Sequence, residues 1–204
     1  MWKCLKKGTW FKIGWLYLPV MFILEMILPT WTGDENGPIE NLQMLWLFGG
    51  LYVCWKMRQQ QFQSWGGDSK SLLYGGVVYF FLLIMREINW GRTLLTHPDG
   101  SYYEYSDMGL YGQMVHPMVG VLIIILLICL YRAKVWKFLQ MVKIPTQNFV
   151  LLLLFIFCSW LGEKGNVTGF HGAVAEELAE FGAYMMMFRL LKDALQDAAK
   201  NKLD

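Results

Sequence analysis

The sequence predicts an all-α, polytopic membrane protein with about six transmembrane helices and with both termini in the cytoplasm. Of its 204 residues, 55% are hydrophobic and only 17% are charged. Apolar stretches that are long enough for helices lie near residues 10–30, 42–56, 71–90, 107–132, 146–162 and 170–192. One span needs about 20 mostly apolar residues, so six spans use about 120 residues. We therefore expect one integral membrane domain over residues 1–204, without a separate soluble domain.

The charged residues separate by sign when these stretches are threaded through a bilayer with the N-terminus inside. Fifteen of the eighteen Lys and Arg then lie on one side, in segments 1–12, 56–70, 132–143 and 189–204. Twelve of the sixteen Asp and Glu lie on the other side, or in the half of the membrane nearest to it. Because basic residues are retained in the cytoplasm during insertion, this bias predicts an N-in, C-in orientation. We expect a bacterial inner (plasma) membrane protein whose surroundings are the lipid bilayer, with no nucleic acid partner.

The first three stretches are bounded by residues that are typical of membrane interfaces. The basic start at Met1 leads into an apolar run that reaches Thr30 without a small-residue cleavage site, which indicates a first span and not a signal peptide. Trp31 and Trp90 mark the outer ends of the first and third stretches, and Trp55 marks the inner end of the second. Amphipathic indole rings favour the headgroup zone of a bilayer, so these positions support the threading.

The last three stretches follow the longest outer segment, at about residues 91–113. The fourth stretch is nearly pure Ile, Leu and Val after Pro117, and the fifth is similarly apolar. The sixth differs, because it contains Glu176, Glu177 and Glu180 together with small residues at three- and four-residue spacing. Small residues at that spacing allow neighbouring helices to approach closely. We therefore expect the sixth helix to be central, with its acids turned inward.

Ionisable residues inside the apolar stretches lie at or beyond mid-membrane, toward the outside, and indicate where a site is to be sought. A charged carboxylate at the bilayer centre costs about 2.5–3.5 kcal/mol on insertion scales. Such groups must be protonated, paired, metal-bound or in contact with water. We hypothesise an outward-facing site that binds a cation, a proton or a small polar ligand. Its candidate residues are Glu25, Arg86, Glu87, Glu176, Glu177 and Glu180.

A metal site is an alternative, because His97, His116 and His171 all map to the same side as the glutamates. Imidazole and carboxylate together suit Zn, Fe or Mn, and nearby methionines bring Cu into consideration. The hypothetical ligand set is His116, His171, Glu177 and Glu180. No H-E-x-x-H motif accompanies them. In this interpretation the protein is a metal-dependent membrane enzyme that acts on a lipid or a periplasmic substrate.

A third interpretation makes the ionisable network purely structural. Arg86 then neutralises a glutamate and locks the helices together, since an arginine presents a planar fork that matches a carboxylate. The protein would act as a non-catalytic subunit of a larger membrane complex, or as a homo-oligomer. The fourth and fifth stretches offer only apolar residues toward the cytoplasm, which disfavours a transport path and favours a one-sided site.

The cysteines argue against a thiol–disulfide relay. Cys4, Cys54, Cys129 and Cys158 form no C-x-x-C motif, and three of them lie at or toward the cytoplasmic side in the predicted topology. A relay facing the outside needs paired, accessible thiols. We interpret these residues as small apolar packing groups.

The predicted orientation can be tested by cysteine labelling. Ser101→Cys lies in the predicted outer segment and Gln63→Cys lies in a predicted cytoplasmic segment. In a background without the native cysteines, a membrane-impermeant thiol reagent added outside intact cells should modify position 101 and leave position 63 unmodified. The reverse labelling pattern would overturn the threading and every assignment of sides that follows from it.

Overall fold

A computed structural model of the protein describes residues 7–34, 37–58, 66–94, 102–142, 145–164 and 172–200. In these ranges 88% of the residues are helical and no strand element is present, so the all-α prediction is confirmed. The helices are α1 (Lys7–Ile27), α2 (Pro38–Met57), α3 (Ser69–Glu87), α4 (Gly109–Arg132), α5 (Val135–Met141), α6 (Thr146–Lys164) and α7 (Gly172–Lys200). Short 3-10 turns follow α1 at Thr30–Gly33 and α3 at Asn89–Leu94.

Three of the described helices are long and apolar enough to cross a membrane, namely α3, α4 and α6. The clearest is α4, on which Val121, Ile124 and Leu127 each remain more than half exposed. A helix that is apolar on all sides requires apolar surroundings, and lipid provides them where protein does not. The structure therefore supports a membrane protein. The six-span count and the N-in, C-in orientation stay predictions.

The helix boundaries differ from the expected ones mainly at two places. Helix α7 runs on to Lys200, eight residues beyond the expected end at 192. The short helix α5 was not expected, because the basic segment 132–143 was interpreted as a cytoplasmic connection. Lys134 takes a left-handed backbone conformation (φ 47°) between α4 and α5, which separates two helices that the composition does not divide.

The described chain divides into two compact units, and the division falls after Trp46 in α2 and after Ala194 in α7. The first unit contains residues 1–46 and 144–194, with α1, the start of α2, α6 and most of α7. Its apolar core includes the fully buried side chains of Met21, Leu151, Phe155 and Met186. The buried core side chains come from α1, α6 and α7 and, through Ile39, from the start of α2, so these elements are held together by apolar burial.

Helix α7 contributes many of the buried core side chains of the first unit, among them Val174, Leu178 and Met186, and its central place in a six-helix bundle stays a prediction. The Tyr17 hydroxyl on α1 donates to the Leu178 carbonyl at 2.8 Å, so α1 is fixed to the backbone of α7. On the α6 side, a Cβ added at Gly162 would lie 2.7 Å from the Glu176 amide nitrogen. The two helix backbones are therefore in direct contact, which only a residue without a side chain permits.

The second unit contains residues 47–143 and 195–204, and α3 and α4 pack along one another within it. Asp68 joins the start of α3 to the end of α4. Its carboxylate accepts from the Ser71 hydroxyl at 2.6 Å and from the Lys70 amide at 3.0 Å, and Arg132 lies 3.8 Å away. These hydrogen bonds, the Ser71 one foremost, and the charge of Arg132 hold the pKa of Asp68 below its usual range. Asp68 is thus the N-cap of α3.

The close approach at Gly162 predicts opposite effects for two glycine-to-alanine changes. Alanine favours a helix over glycine by about 1 kcal/mol. Gly120→Ala on α4, where an added Cβ meets nothing within 4 Å, should therefore be neutral or slightly stabilising. Gly162→Ala should instead lower stability by about 1–3 kcal/mol, because a backbone cannot move aside as a side chain can. Thermal unfolding in detergent measures both, and equal melting temperatures would show that α6 and α7 are not in contact there.

Candidate functional site

The three predicted carboxylates of α7 lie in the first unit and are all half-buried. Glu176 and Glu177 stand in the first two turns of the helix, and Glu180 follows one turn later. They share one broad side of the helix because residues three and four apart are neighbours on its surface. Glu25, the predicted contribution of the first span, is half-buried on α1 in the same unit.

Gln43 on α2 contacts this face directly, and the sequence alone did not indicate it. Its Nε2 donates both to the Glu177 carboxylate Oε2 at 2.7 Å and to the Glu177 carbonyl oxygen at 2.8 Å. Gln43 is 0% exposed. Its Oε1 is also buried and accepts no hydrogen bond from the part of the chain that the structure describes. A buried amide thus binds the carboxylate with one end and presents an unsatisfied oxygen with the other.

Two more polar side chains of the first unit lie on α2 and α6. Glu40 is buried one turn before Gln43 on α2, and this three-residue spacing places the two side chains on the same face. The Ser159 hydroxyl on α6 donates to Glu180 Oε1 at 3.5 Å, at the long limit of a hydrogen bond. Carboxylate, amide and hydroxyl oxygens therefore occur together in the first unit.

Arg86 and Glu87 lie in the second unit, at the end of α3. Arg86 Nε is 3.1 Å from Glu87 Oε1, and the two side chains are 59% and 5% exposed. The guanidinium thus stabilises a buried carboxylate while it remains in contact with solvent or headgroups itself. Arg86 thus pairs with Glu87, its own neighbour in the sequence. The hypothesis that Arg86 locks the helices together stays a prediction.

The turn after α3 has an unusual backbone. Asn89, Trp90 and Gly91 follow one another with φ values of 45°, 55° and 83°. A left-handed conformation is costly for a bulky residue such as tryptophan, so other contacts must hold it. The Tyr111 hydroxyl on α4 provides one of them, because it donates to the Trp90 carbonyl at 2.7 Å.

A polar cluster follows this turn and includes His116. Arginine can only donate, so the Asn89 amide turns its oxygen toward Arg92 and accepts from Nε at 3.2 Å and Nη2 at 2.8 Å. The Asn89 nitrogen then donates to the Tyr105 hydroxyl at 2.7 Å. His116 is exposed on α4, with its ring edge-on to Tyr105 at 5.8 Å between centroids. In the sequence, the tyrosine-rich run at residues 102–105 was the signal that could have indicated this cluster.

The predicted metal site gains no support from the structure. Among the described residues, no three His, Cys, Asp or Glu side chains come together in a way that would hold an ion. His97 and His171 lie outside the described ranges. His116 belongs to the second unit, whereas Glu177 and Glu180 belong to the first. A site for Zn, Fe, Mn or Cu at these four residues therefore stays a prediction.

Arg189 and Asp193 form a buried ion pair that the sequence interpretation missed. Arg189 Nη2 is 2.8 Å from Asp193 Oδ1, and the side chains are only 3% and 2% exposed. Both belong to the segment 189–204 that was interpreted as cytoplasmic and basic. The four-residue spacing between opposite charges on one helix was the signal that could have indicated the pair.

The described residues form an all-helical protein with three helices long and apolar enough to cross a membrane. Comparison of the chain with protein families, with curated proteins and with solved structures found no match.

The buried pair on α7 predicts a non-additive response to mutation. Arg189→Met leaves the Asp193 carboxylate buried without its guanidinium and should cost about 3–5 kcal/mol. Arg189→Met/Asp193→Leu removes both charges and should recover most of that loss. Unfolding in detergent measures the cycle, with Lys192→Met on the same helix as a control that should cost less than about 1 kcal/mol. The assignment would be contradicted if the loss of stability in the double variant equalled the summed losses of Arg189→Met and Asp193→Leu measured separately.

Proposed function

We propose that the protein is an integral membrane protein that binds a small cation, or a proton in its place, at Glu177 and Gln43. The observation that carries the proposal is the buried Gln43 side chain, which holds the Glu177 carboxylate while its own Oε1 accepts no hydrogen bond from the described residues. Glu40, Glu176 and Glu180 add carboxylate oxygens in the same unit. Arg86 and Glu87 belong to the second unit.

The chemistry of the site favours a hard ligand. A buried carbonyl oxygen without a donor costs about 1–3 kcal/mol, which a bound cation would offset. Carboxylate and amide oxygens are ligands of Na⁺- or Ca²⁺-type ions, whereas softer metals prefer imidazole and thiolate. A cation or a proton would also neutralise part of the negative charge that three adjacent carboxylates bring into apolar surroundings.

We also propose that α1, α2 and α7 cross the membrane together with α3, α4 and α6, with both termini in the cytoplasm of a bacterial cell. These three helices contain 21, 20 and 29 residues. At 1.5 Å per residue, about 20 residues span the roughly 30 Å hydrocarbon core. In this topology Glu176 and Glu177 lie in the outer half of the membrane, and the site opens to the periplasm and not to a path across the bilayer.

Cation-dependent stability tests the proposal. The full-length protein in detergent is titrated with NaCl, KCl, MgCl₂ or CaCl₂, with choline chloride as the ionic-strength control, and its melting temperature is followed by tryptophan fluorescence. One of the four cations should raise the melting temperature, since an ion at 100 times its Kd stabilises by about 2.7 kcal/mol. The rise should shrink as the pH falls, because protons compete for the carboxylate.

Three substitutions distinguish a cation-binding role of Glu177 and Gln43 from a purely structural role. Glu177→Gln keeps the shape of the side chain and should fold but lose the cation effect. Gln43→Leu should raise the Kd for the cation at least tenfold. Gln147→Leu, at an exposed position on α6, should leave this Kd unchanged. If no cation acts but Glu177→Gln removes a pH dependence of stability, the ligand is a proton. If neither dependence exists, the network is structural and the proposal falls.

A further inference from the structure

An open apolar groove of about 610 Å³ runs along α2 and α3 in the second unit. Its α2 side is formed by Phe48, Leu51, Tyr52 and Trp55, and Val78 and Phe81 are among its α3 residues. Four of the aromatic side chains are about 40–55% exposed, namely Phe48, Tyr52, Trp55 and Phe81. An exposed groove of this composition needs an apolar occupant.

Close contact between the two helices beside the groove fixes its shape. A Cβ added at Gly50 would overlap the ring of Phe80, and one at Gly76 would lie 2.6 Å from the Cys54 sulfur. The helices are thus held together at two glycines, and the larger side chains on either side of this contact stand out as walls. From Phe48 to Trp55 the groove follows α2 for about 10 Å, at 1.5 Å per residue.

Two basic side chains, Lys56 and Arg58, lie at one end of this groove. Each is held against an aromatic ring that lines the groove. The Arg58 guanidinium carbon lies 3.7 Å from the centroid of Trp55, and Arg58 Nη1 donates to the Trp55 carbonyl at 2.7 Å. Lys56 Nζ lies 5.5 Å from the centroid of Tyr52. In the part of the chain that the structure describes, neither cation pairs with a carboxylate. Both therefore keep donors that an anion can accept from.

We infer that this groove binds one acyl chain of an anionic phospholipid, with the lipid phosphate on Lys56 and Arg58. An apolar channel that ends at two positive charges matches a molecule with a long apolar tail and an anionic head. The predicted threading places the end of α2 at the cytoplasmic face, where the leaflet is rich in anionic lipid. The rings of Tyr52 and Trp55 then lie at the headgroup level that such amphipathic rings favour. The inference is independent of the site at Glu177.

Lipid retention measured by native mass spectrometry tests this inference. The full-length protein is reconstituted in equal amounts of phosphatidylglycerol and phosphatidylcholine and then released into detergent. One phosphatidylglycerol should remain bound in preference to phosphatidylcholine. A cation near the membrane surface contributes enough for about a fivefold change, so Lys56→Gln/Arg58→Gln should reduce this preference about 30-fold. Lys134→Gln/Lys137→Gln removes the same charge from the start of the α5 region, which supplies no wall of the groove, and should retain the preference.

A second variant separates the groove from the charges. Val78→Trp fills the groove without altering any charge and should abolish retention of the lipid while the melting temperature changes little. Retention of phosphatidylglycerol that withstands both Val78→Trp and the loss of Lys56 and Arg58 would overturn the inference. It would also fall if the parent retained no lipid but formed a dimer that Val78→Trp dissociates, because the occupant would then be a second copy of the chain.

Discussion

Helix α7 has to carry three carboxylates, Glu176, Glu177 and Glu180, through surroundings made largely of apolar side chains. Apolar surroundings leave polar groups no water to bond, so their partners must come from the protein itself, on the same helix or on a neighbouring one. This requirement explains why α7 is approached so closely. Gly162 brings the α6 backbone against Glu176, and Tyr17 and Gln43 bring α1 and α2 within hydrogen-bonding distance of the next turn.

The ionisable groups of the described chain meet this requirement in three different ways. Arg86 and Glu87 are adjacent in sequence, and the arginine remains at the surface while it pairs with the buried acid. Arg189 and Asp193 are both buried, so their charges stabilise each other with little help from solvent. Glu177 instead meets the neutral amide of Gln43. This third arrangement differs from the other two in that the partner is a neutral, buried amide and not an arginine.

The aromatic residues of the second unit have two separate roles. Some of them organise the chain near the end of α3, where Tyr111 and Tyr105 hold the left-handed turn at Trp90 and Asn89. Others hold cations at the end of α2, where Trp55 and Tyr52 lie against Arg58 and Lys56. In both places an aromatic side chain combines apolar area with a polar interaction, either a hydrogen bond or a cation–π contact. Such a combination suits the boundary between lipid and water.

The sequence by itself determined the all-α class and the positions of the long helices to within a few residues at most ends. These follow from local composition, since a long apolar run in a membrane environment has no alternative to a helix. Where the decisive spacing was short, as in the carboxylate face of α7, the candidate residues could also be named. Helix α5 could not be predicted in this way, because its seven residues are too few to show a helical periodicity within a basic segment.

Only the tertiary structure decided which polar groups meet. Gln43 and Glu177 are 134 positions apart, and nothing local distinguishes Gln43 from the exposed Gln147. The burial of Arg189 and Asp193 was hidden for the same reason, since a basic segment after a span resembles a solvated cytoplasmic end. A hydrogen bond between helices depends on how their faces are turned toward one another. That rotation is set by packing over the whole unit, whereas the presence of each helix is set by its own residues.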